Sequence, residues 1–259
     1  MRKVLFWVGL FSLLGVESAI ALPFAGFDWR ENGSAMVTSN LIALTPGGAY
    51  GGGTFVTSPF TQSANSSFSA FFQFRMHTPY GAPGDGFAFV LQNDARGDAA
   101  LGNIGGWLGY GDSSAITPSV AIEFDVYDNA CSSPICDPNG NHVGIDTNGS
   151  LASIQTATPG FVLNDGTPNF AWIEYDGAIN LLEIFVAGSN SRPGSPLLSA
   201  TLDIFSTVGS QYYVGFTAGG AGARQEHDIE AFAFVPEPST ALLLGLGLAG
   251  LAAKGRRRS

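Results

Sequence analysis

Lysine is absent from the middle of the chain, residues 22–235, where five arginines provide all of the permanent positive charge. Setting aside residues 1–21 and 236–259 lowers the acidic residues from 21 to 19 and the basic residues from 11 to 5, so the net charge becomes 5 minus 19, or −14. Proteins bind nucleic acids through basic residues that neutralise phosphates. This balance argues against a nucleic acid as a partner and makes divalent cations the natural counter-charge.

Sequence patterns of common enzyme chemistries are also missing. The chain contains no GxSxG, HExxH or phosphate-loop pattern, which argues against serine hydrolases, zinc proteases and nucleotide-binding enzymes. Cysteine is scarce, with only Cys131 and Cys136. In an exported protein two cysteines this close most often form one small disulfide, while free thiols and a soft-metal site are the alternatives.

Long apolar runs occur only at the two ends of the chain. Residues 1–21 combine Arg2 and Lys3, an apolar run from Val4 to Val16 and the segment Ala-Ile-Ala at 19–21. This order of charge, apolar core and small residues is typical of a secretory signal peptide. We expect cleavage at the end of this segment.

The C-terminal segment, residues 236–259, begins with Pro-Glu-Pro, continues with thirteen apolar residues from 241 to 253 and ends in basic residues. Thirteen residues are short of the ~20 that a spanning helix needs, which favours a sorting tag over a permanent anchor. The segment resembles the PEP-CTERM signals of Gram-negative bacteria, which membrane-embedded exosortases cleave during export. The resemblance implies an exosortase-type partner, only transient contact with the membrane, and a final location at the cell surface or in the extracellular matrix.

Between these ends the sequence is typical of an all-β domain. The whole chain is 45% hydrophobic and 12% charged, with 35 glycines, and residues 22–235 lack an amphipathic helical run of convincing length. Short alternating or apolar segments are separated by Gly, Pro, Ser and Asn turns, which predicts strands. The predicted strands are Leu41–Leu44, Thr54–Thr57, Phe68–Met76, 86–91, Phe170–Tyr175, Asn180–Val186 and Tyr212–Phe216.

The most informative stretch is the predicted strand Ser119–Tyr127. Side chains alternate between the two faces of a strand, so Glu123, Asp125 and Tyr127 share one face while Phe124 and its even-numbered neighbours enter a core. Two adjacent carboxylates repel each other, and burying them is costly unless a cation or protons neutralise them. The strand therefore predicts a metal site.

The segment after this strand supplies further ligand types. Asn129 and Asp137 add oxygen ligands for a hard cation, and His142 adds an imidazole for a transition ion. We expect structural roles for the other two histidines, His77 and His227. A calcium-binding helical hand starting at Asp137 is disfavoured, because its sixth and twelfth positions lack the required Gly and Glu.

These residues resemble the metal strand and loop of the legume (L-type) lectins: the run EFDVYDN from Glu123, Asp-Pro at 137–138, and HVGID from His142. The resemblance implies an antiparallel β-sandwich of the concanavalin-like jelly-roll class, spanning residues 22–235. It also implies a manganese-type ion and a calcium ion. Glu123 and His142 would bind the transition ion alone, Asp125 and Asp137 would bridge both ions, and calcium would also take the carbonyl of Tyr127 and the side-chain oxygen of Asn129.

The same resemblance implies a sugar site. Asp85, preceded by a cis peptide bond in the family, would accept hydrogen bonds from sugar hydroxyls, and Gly106 would donate its backbone N–H without a side chain in the way. Asn129 would donate from its amide, and Tyr127 would stack on the sugar. Gly222 and Ala223 would lie at the tip of the loop that tunes specificity. Two departures are the cysteine pair between Asn129 and Asp137, and Phe232 in place of the usual Trp.

Two other functions remain open alongside this interpretation. The pattern Glu123, Asp125, Asp128 is similar to the Glu-x-Asp-x-x-Glu strand of laminarinase-type glycoside hydrolases, which need two carboxyl groups ~5–5.5 Å apart. Asp128, however, is shorter than Glu and on the opposite strand face from Glu123. A passive matrix component on the same fold is the second alternative.

The sequence thus predicts an exported, non-enzymatic lectin that uses Ca²⁺ and Mn²⁺, or another divalent transition ion, to bind a glycan or exopolysaccharide. The resemblance also allows a homodimer, since the family often dimerises through sheet edges.

Overall fold

The structure, a computed structural model, describes residues 24, 26–132 and 135–236. In these residues two antiparallel sheets pack face to face. The first sheet has the strand order β1 (Trp29–Gly33), β4 (Gly51–Val56), β14 (Gln211–Gly219), β7 (Gly86–Gln92), β8 (Ser119–Asp125), β9 (His142–Thr147) and β10 (Ser150–Ala157), with β5 (Phe60–Thr61) paired to the start of β14. The second has the order β13 (Leu198–Thr201), β12 (Leu181–Ala187), β11 (Asn169–Asp176), β6 (Phe68–His77), β15 (Glu226–Pro236), β3 (Ile42–Ala43) and β2 (Met36–Val37). The short helix α1 (Ile204–Val208) precedes β14.

Phenylalanines fill the space between the two sheets. Along β6 buried and half-buried residues alternate without interruption, as expected for a strand with one core face. Phe72 from this strand packs edge-on against Phe87, Phe124 and Phe216 of the opposite sheet, with ring centroids 5.2–6.2 Å apart. Burying each such ring contributes roughly 1.5–3 kcal/mol, so this aromatic layer fixes how the sheets stack.

The strands β7 and β8 are buried along their whole length on both faces. One face meets the phenylalanine core. The other is covered by the loops that follow β7, and Ala88, Ala121, Leu108 and Tyr110 form a second apolar cluster there. Polar residues on this second face of β8 are therefore enclosed rather than exposed to solvent.

The predicted all-β sandwich is confirmed, and each predicted strand corresponds to a strand of the structure. The main difference is the end of β8, which we expected at Tyr127 and which stops at Asp125. The carboxylate of Asp125 accepts a hydrogen bond from the Tyr127 N–H at 2.7 Å. This local turn takes the place of the next ladder bond and leaves Tyr127 on the loop.

The hairpin predicted at Asp176-Gly177 is present between β11 and β12, although its loop runs over residues 177–180. A disulfide joins Cys131 to Cys136. The proposed signal peptide, residues 1–21, and all but the first residue of the sorting segment lie outside the described residues. Within the described ranges, no helix has the length and apolar character required to cross a membrane.

Candidate metal and carbohydrate site

The register of three neighbouring strands assembles the candidate site. Asp125, the last residue of β8, pairs with Gly86 of β7 on one side and with His142 of β9 on the other. Asp85 directly precedes β7, so it lies at the same end of the sheet. Carboxylates from two distant segments thus meet the imidazole at one end of the second, loop-covered face. All of these groups were predicted from the sequence.

His142 and Glu123 form the buried centre of this group. The His142 Nε2 atom is 3.2 Å from Glu123 Oε1 and 4.0 Å from Asp137 Oδ1. Its Nδ1–H donates to the carbonyl of Asn139 at 2.7 Å, which turns Nε2 toward the carboxylates. Burial by itself lowers the pKa of His142, but the hydrogen bond and charge of Glu123 outweigh it, so the net shift is upward.

The two acids expected to bridge the ions each have one oxygen engaged by the backbone. Asp125 accepts from Tyr127, as described above, and Asp137 Oδ2 accepts from the N–H of Asn129 at 2.7 Å. Burial raises the pKa of Asp125 well above its ordinary value, and the charge of Glu123 raises it further. Burial likewise raises the pKa of Asp137. Burial and neighbouring carboxylates therefore disfavour the ionised forms of these acids when no cation is bound.

Several buried oxygens of this cluster have no hydrogen-bond partner. They are Asp85 Oδ2, Glu123 Oε2, Asp125 Oδ2, Asn129 Oδ1 and Asp146 Oδ2. An unsatisfied buried polar atom costs about 1–3 kcal/mol, and more when charged. Ligand atoms of Glu123, Asp125 and His142 lie within 4.8 Å of one another. The residues therefore fit cations that would bind these free oxygens. One of the cations could also bind the His142 nitrogen.

Sequence reasoning assigned no role to Asp146 and missed Ser153. Ser153 Oγ is 2.6 Å from Glu123 Oε1 and 2.8 Å from Asp146 Oδ1. Burial and the charge of Glu123 raise the pKa of Asp146 well above its ordinary value, although the hydrogen bond from the Ser153 hydroxyl opposes this shift. The period of two on β9 places Asp146 on the His142 face and was a usable signal. Ser153 had none, because it lies in the stretch from Ser150 to Gln155 in which the β9/β10 register shifts.

Asp85 forms the floor of the expected sugar site. The Gly84–Asp85 peptide bond is cis, as the resemblance implied. The Asp85 N–H donates to the carbonyl of Gly219 at 3.0 Å, and its carbonyl accepts from the N–H of Val126 at 2.9 Å, so two other parts of the chain hold it. Burial and the charge of Asp137 raise the pKa of Asp85 to about 6, although the Ala221 backbone opposes this shift.

The second expected loop lies directly against Asn129. A Cβ atom on Gly106 would be 2.5 Å from Asn129 Nδ2, so only glycine allows this approach. One on Gly105, where φ is +69°, would be 3.3 Å from Ala221 Cβ and 4.0 Å from Asp85 Oδ2. Gly105 and Ala221 are thus further neighbours of the site that we did not predict.

The remaining predicted sugar contacts line the opening. Tyr127 is 39% exposed, and a Cβ atom on Gly84 would be 2.8 Å from Ala223 and 3.3 Å from Tyr127. Gly222 is exposed at the tip of its loop and has no neighbour within 4 Å of a built Cβ. The structure therefore brings Ala223 to the site wall and leaves Gly222 at its outer edge.

Two other sequence expectations can be compared with the structure. Asp128, the second carboxylate of the glycoside hydrolase alternative, is exposed and accepts from the Ala130 N–H at 2.9 Å, whereas Glu123 is buried. His227 is fully buried and pairs through Nδ1 with Thr45 Oγ1 at 2.8 Å. Burial lowers its pKa to about 3, which fits the structural role expected for it.

Curated plant proteins resemble most of this chain. An L-type lectin-domain containing receptor kinase, S.7, of Oryza sativa subsp. japonica is 32% identical over 236 residues, covering 88% of this chain and 32% of that protein. Receptor kinase VIII.2 of Arabidopsis thaliana is 33% identical over 229 residues, covering 85% and 31%. The chain therefore spans about a third of the length of these relatives.

Solved structures and family models also match this chain. Peanut lectin with a 9mer peptide superposes with a TM-score of 0.67 at 26% identity, covering 83% of this chain and 94% of that one. The metal-free form of lectin I-B4 from Griffonia simplicifolia gives 0.66 at 25%, covering 81% and 93%. The PEP-CTERM protein-sorting motif matches residues 234–258, and the legume lectin domain matches residues 23–241. The chain belongs to the legume lectin domain family.

Proposed function

We propose that this protein is an exported lectin that binds a glycan or exopolysaccharide non-covalently, without catalysis, through the site at Asp85. Family membership supports the class of carbohydrate-binding lectins. The observation that carries the proposal for the site is the buried Asp85 carboxylate, whose Oδ2 has no partner and lies beside Gly105. A free acceptor at the floor of a loop-lined opening suits a sugar hydroxyl.

The metal ligands would follow the family assignment. Glu123 and His142 would hold a Mn²⁺-type ion, and Asp125 and Asp137 would be shared with Ca²⁺. The carbonyl of Tyr127 and the side-chain oxygen of Asn129 would complete the calcium ligands from this chain. Bound cations would supply the positive charge that the buried carboxylates lack. The unpartnered oxygens of Glu123, Asp125 and Asn129 support this assignment.

Different groups of the chain would make different contacts with the sugar. Asp85 accepts from hydroxyl groups, while the amide of Asn129 and the N–H of Gly106 donate. Tyr127 offers a half-exposed ring for the apolar face of the sugar. A shallow polar site binds weakly unless its groups are ordered beforehand, and the contact of Gly106 with Asn129 supplies part of that order. Gly222 and Ala223 would limit which sugars fit.

Export and processing complete the proposal. Residues 1–21 would be removed as a signal peptide, and residues 22–235 would form the lectin domain. Residues 236–259 would be processed by an exosortase-type enzyme of a Gram-negative host, with membrane contact limited to that step. The PEP-CTERM match supports export and sorting to the cell surface or its matrix. A homodimer is part of the proposal as an expectation from the family.

A glycan array probed with and without chelator tests this function. We expect binding in Ca²⁺ and Mn²⁺ and its loss after chelation at mildly acidic pH. Asp85→Ala should abolish binding while leaving metal content unchanged, and the matched control Asp128→Ala, which removes an exposed carboxylate nearby, should bind normally. Normal glycan binding by Asp85→Ala would disprove the site. Hydrolysis of a glycan by the wild type but not by Glu123→Gln would favour the glycosidase alternative.

A further inference from the structure

A second group of potential metal ligands lies on the outer face of the other sheet. His77 is the last residue of β6, Glu226 is the first residue of β15, and the two are directly paired in the ladder. Asp228 lies two residues further along β15, so its side chain points to the same face as that of Glu226. Ligand atoms of the three residues lie within 4.8 Å of one another.

The three side chains contact one another and two neighbouring hydroxyl groups. His77 Nε2 is 2.9 Å from Asp228 Oδ2, and Nδ1 is 3.8 Å from Glu226 Oε2. Thr78 Oγ1 lies 2.7 Å from His77 Nδ1, and the Tyr80 hydroxyl donates to the outer oxygen of Glu226 at 2.9 Å. Hydrogen bonds of this kind orient metal ligands and fix the imidazole tautomer.

The charge and exposure of the group suit an ion from solution. The side chains of His77, Glu226 and Asp228 are 24%, 22% and 12% exposed. The neighbouring cation, Arg75, is 2.6 Å from Glu230 and so is engaged by a different carboxylate. Two carboxylates and one imidazole therefore face each other with an opening to water.

We propose that His77, Glu226 and Asp228 form a Zn²⁺ site separate from the one around Glu123. One imidazole and two carboxylates suit zinc better than calcium, which takes oxygen ligands. Zinc binds such donors at about 2.0–2.2 Å, so small side-chain movements would close the present spacing around the ion. The site joins the ends of β6 and β15, next to the Tyr80–Arg224 backbone bond of 2.9 Å at the base of the Gly222 loop.

The experiment is a calorimetric titration of Zn²⁺ into the full protein already loaded with Ca²⁺ and Mn²⁺, with bound metal counted after buffer exchange. We expect one Zn²⁺ per chain with Mn²⁺ retained. His77→Gln and Asp228→Asn should each weaken binding at least tenfold. Glu230→Gln removes an acid from the same strand face but outside the group, so it should bind like the wild type. Circular dichroism verifies that each variant is folded.

Three results would overturn the proposal. Zinc uptake with an equal loss of Mn²⁺ would place the ion in the Glu123 centre. An unchanged affinity in His77→Gln would remove the imidazole from the site. Equal weakening by Glu230→Gln and Asp228→Asn would indicate diffuse attraction to an acidic face. A visible spectrum of the Co²⁺-loaded protein that changes in His77→Gln but not in Glu230→Gln would support direct ligation.

Discussion

Buried carboxylates lie near both ends of β7, and they differ in whether their oxygens have hydrogen-bond partners. Beyond its C-terminal end, Asp94 accepts from Arg96 N, Nε and Nη2 at 2.7–2.9 Å and from Thr117 N at 3.0 Å. Burial alone raises the pKa of Asp94, but the hydrogen bonds from Arg96 prevail and lower it to about 2. At the other end, Asp85 and Asp125 have raised pKa values and unpartnered oxygens.

The difference lies in the partner available to each carboxylate. Among the described residues, no arginine forms an ion pair with Asp85, Glu123 or Asp125. A domain without lysine and with five arginines cannot neutralise every buried acid from its own side chains. The satisfied acid has its partners within the fold, whereas in the proposed function the unsatisfied group is neutralised by cations from solution. Substitutions on the two sides should therefore respond differently to metal.

The largest expected effect is that Asp125→Asn lowers the stability of the metal-loaded protein and raises that of the ion-free protein. With Ca²⁺ and Mn²⁺ in excess, the wild type gains about 2.7 kcal/mol for an ion at 100 times its dissociation constant, and the variant should lose most of this gain. In the ion-free protein the same change replaces a carboxyl group whose ionised form is disfavoured by burial and by Glu123 with a neutral amide, so its unfolding midpoint should be higher than that of the wild type. Thermal unfolding with added metal and with chelator measures both.

The ion-free measurement is decisive for this comparison. A lower midpoint for Asp125→Asn in chelator would mean that the carboxylate stabilises the fold without a cation. The matched control is Asp94→Asn, whose effect on the midpoint should be the same with metal and with chelator.

A narrower effect is expected for Glu123→Gln. Glu123 faces His142 Nε2 at 3.2 Å, and in the proposed assignment it binds only the transition ion. Mn²⁺ affinity should fall by about 100-fold or more, while Ca²⁺ remains bound at high calcium concentration. Electron paramagnetic resonance of free Mn²⁺ and elemental analysis of Ca²⁺ separate the two. Equal loss of both ions would contradict the division of ligands.

Strands with one apolar face were predictable because their pattern has a period of two. The sequence indicated β6 and β11 within one residue at each end. The edge strands β10 and β13 gave no comparable signal, since exposed and covered residues do not alternate regularly along β10 and β13 has four residues. Where neither face of a strand is distinctly apolar, pairing with a neighbour decides its structure, and the neighbour is distant in sequence.

The residues of the candidate site were also only partly predictable from the sequence. Glu123 and Asp125 were found by alternation and repulsion on one strand, whereas grouping them with Asp85 required the resemblance to a family. Neither route indicated Ser153 or Ala221, because their proximity depends on a register shift and on the path of a loop. The predicted roles of the site residues stay predictions that the experiments above test.

The smallest effect, and the sharpest contrast with the metal side, is expected at Asp94. Its pKa in the folded protein, about 2, lies below the ordinary value of 3.8, so the ionised form is favoured by folding. The stabilisation is present above about pH 4 and is lost as the pH falls toward 2. Asp94→Asn should therefore cost about 1–3 kcal/mol at pH 7, nearer the lower figure because Arg96 is more than a third exposed. Urea unfolding measures the difference in unfolding free energy between the wild type and Asp94→Asn. This difference should shrink toward zero between pH 7 and pH 2, with or without metal. A difference that persists at pH 2 would mean that the Arg96 pairing is not its source.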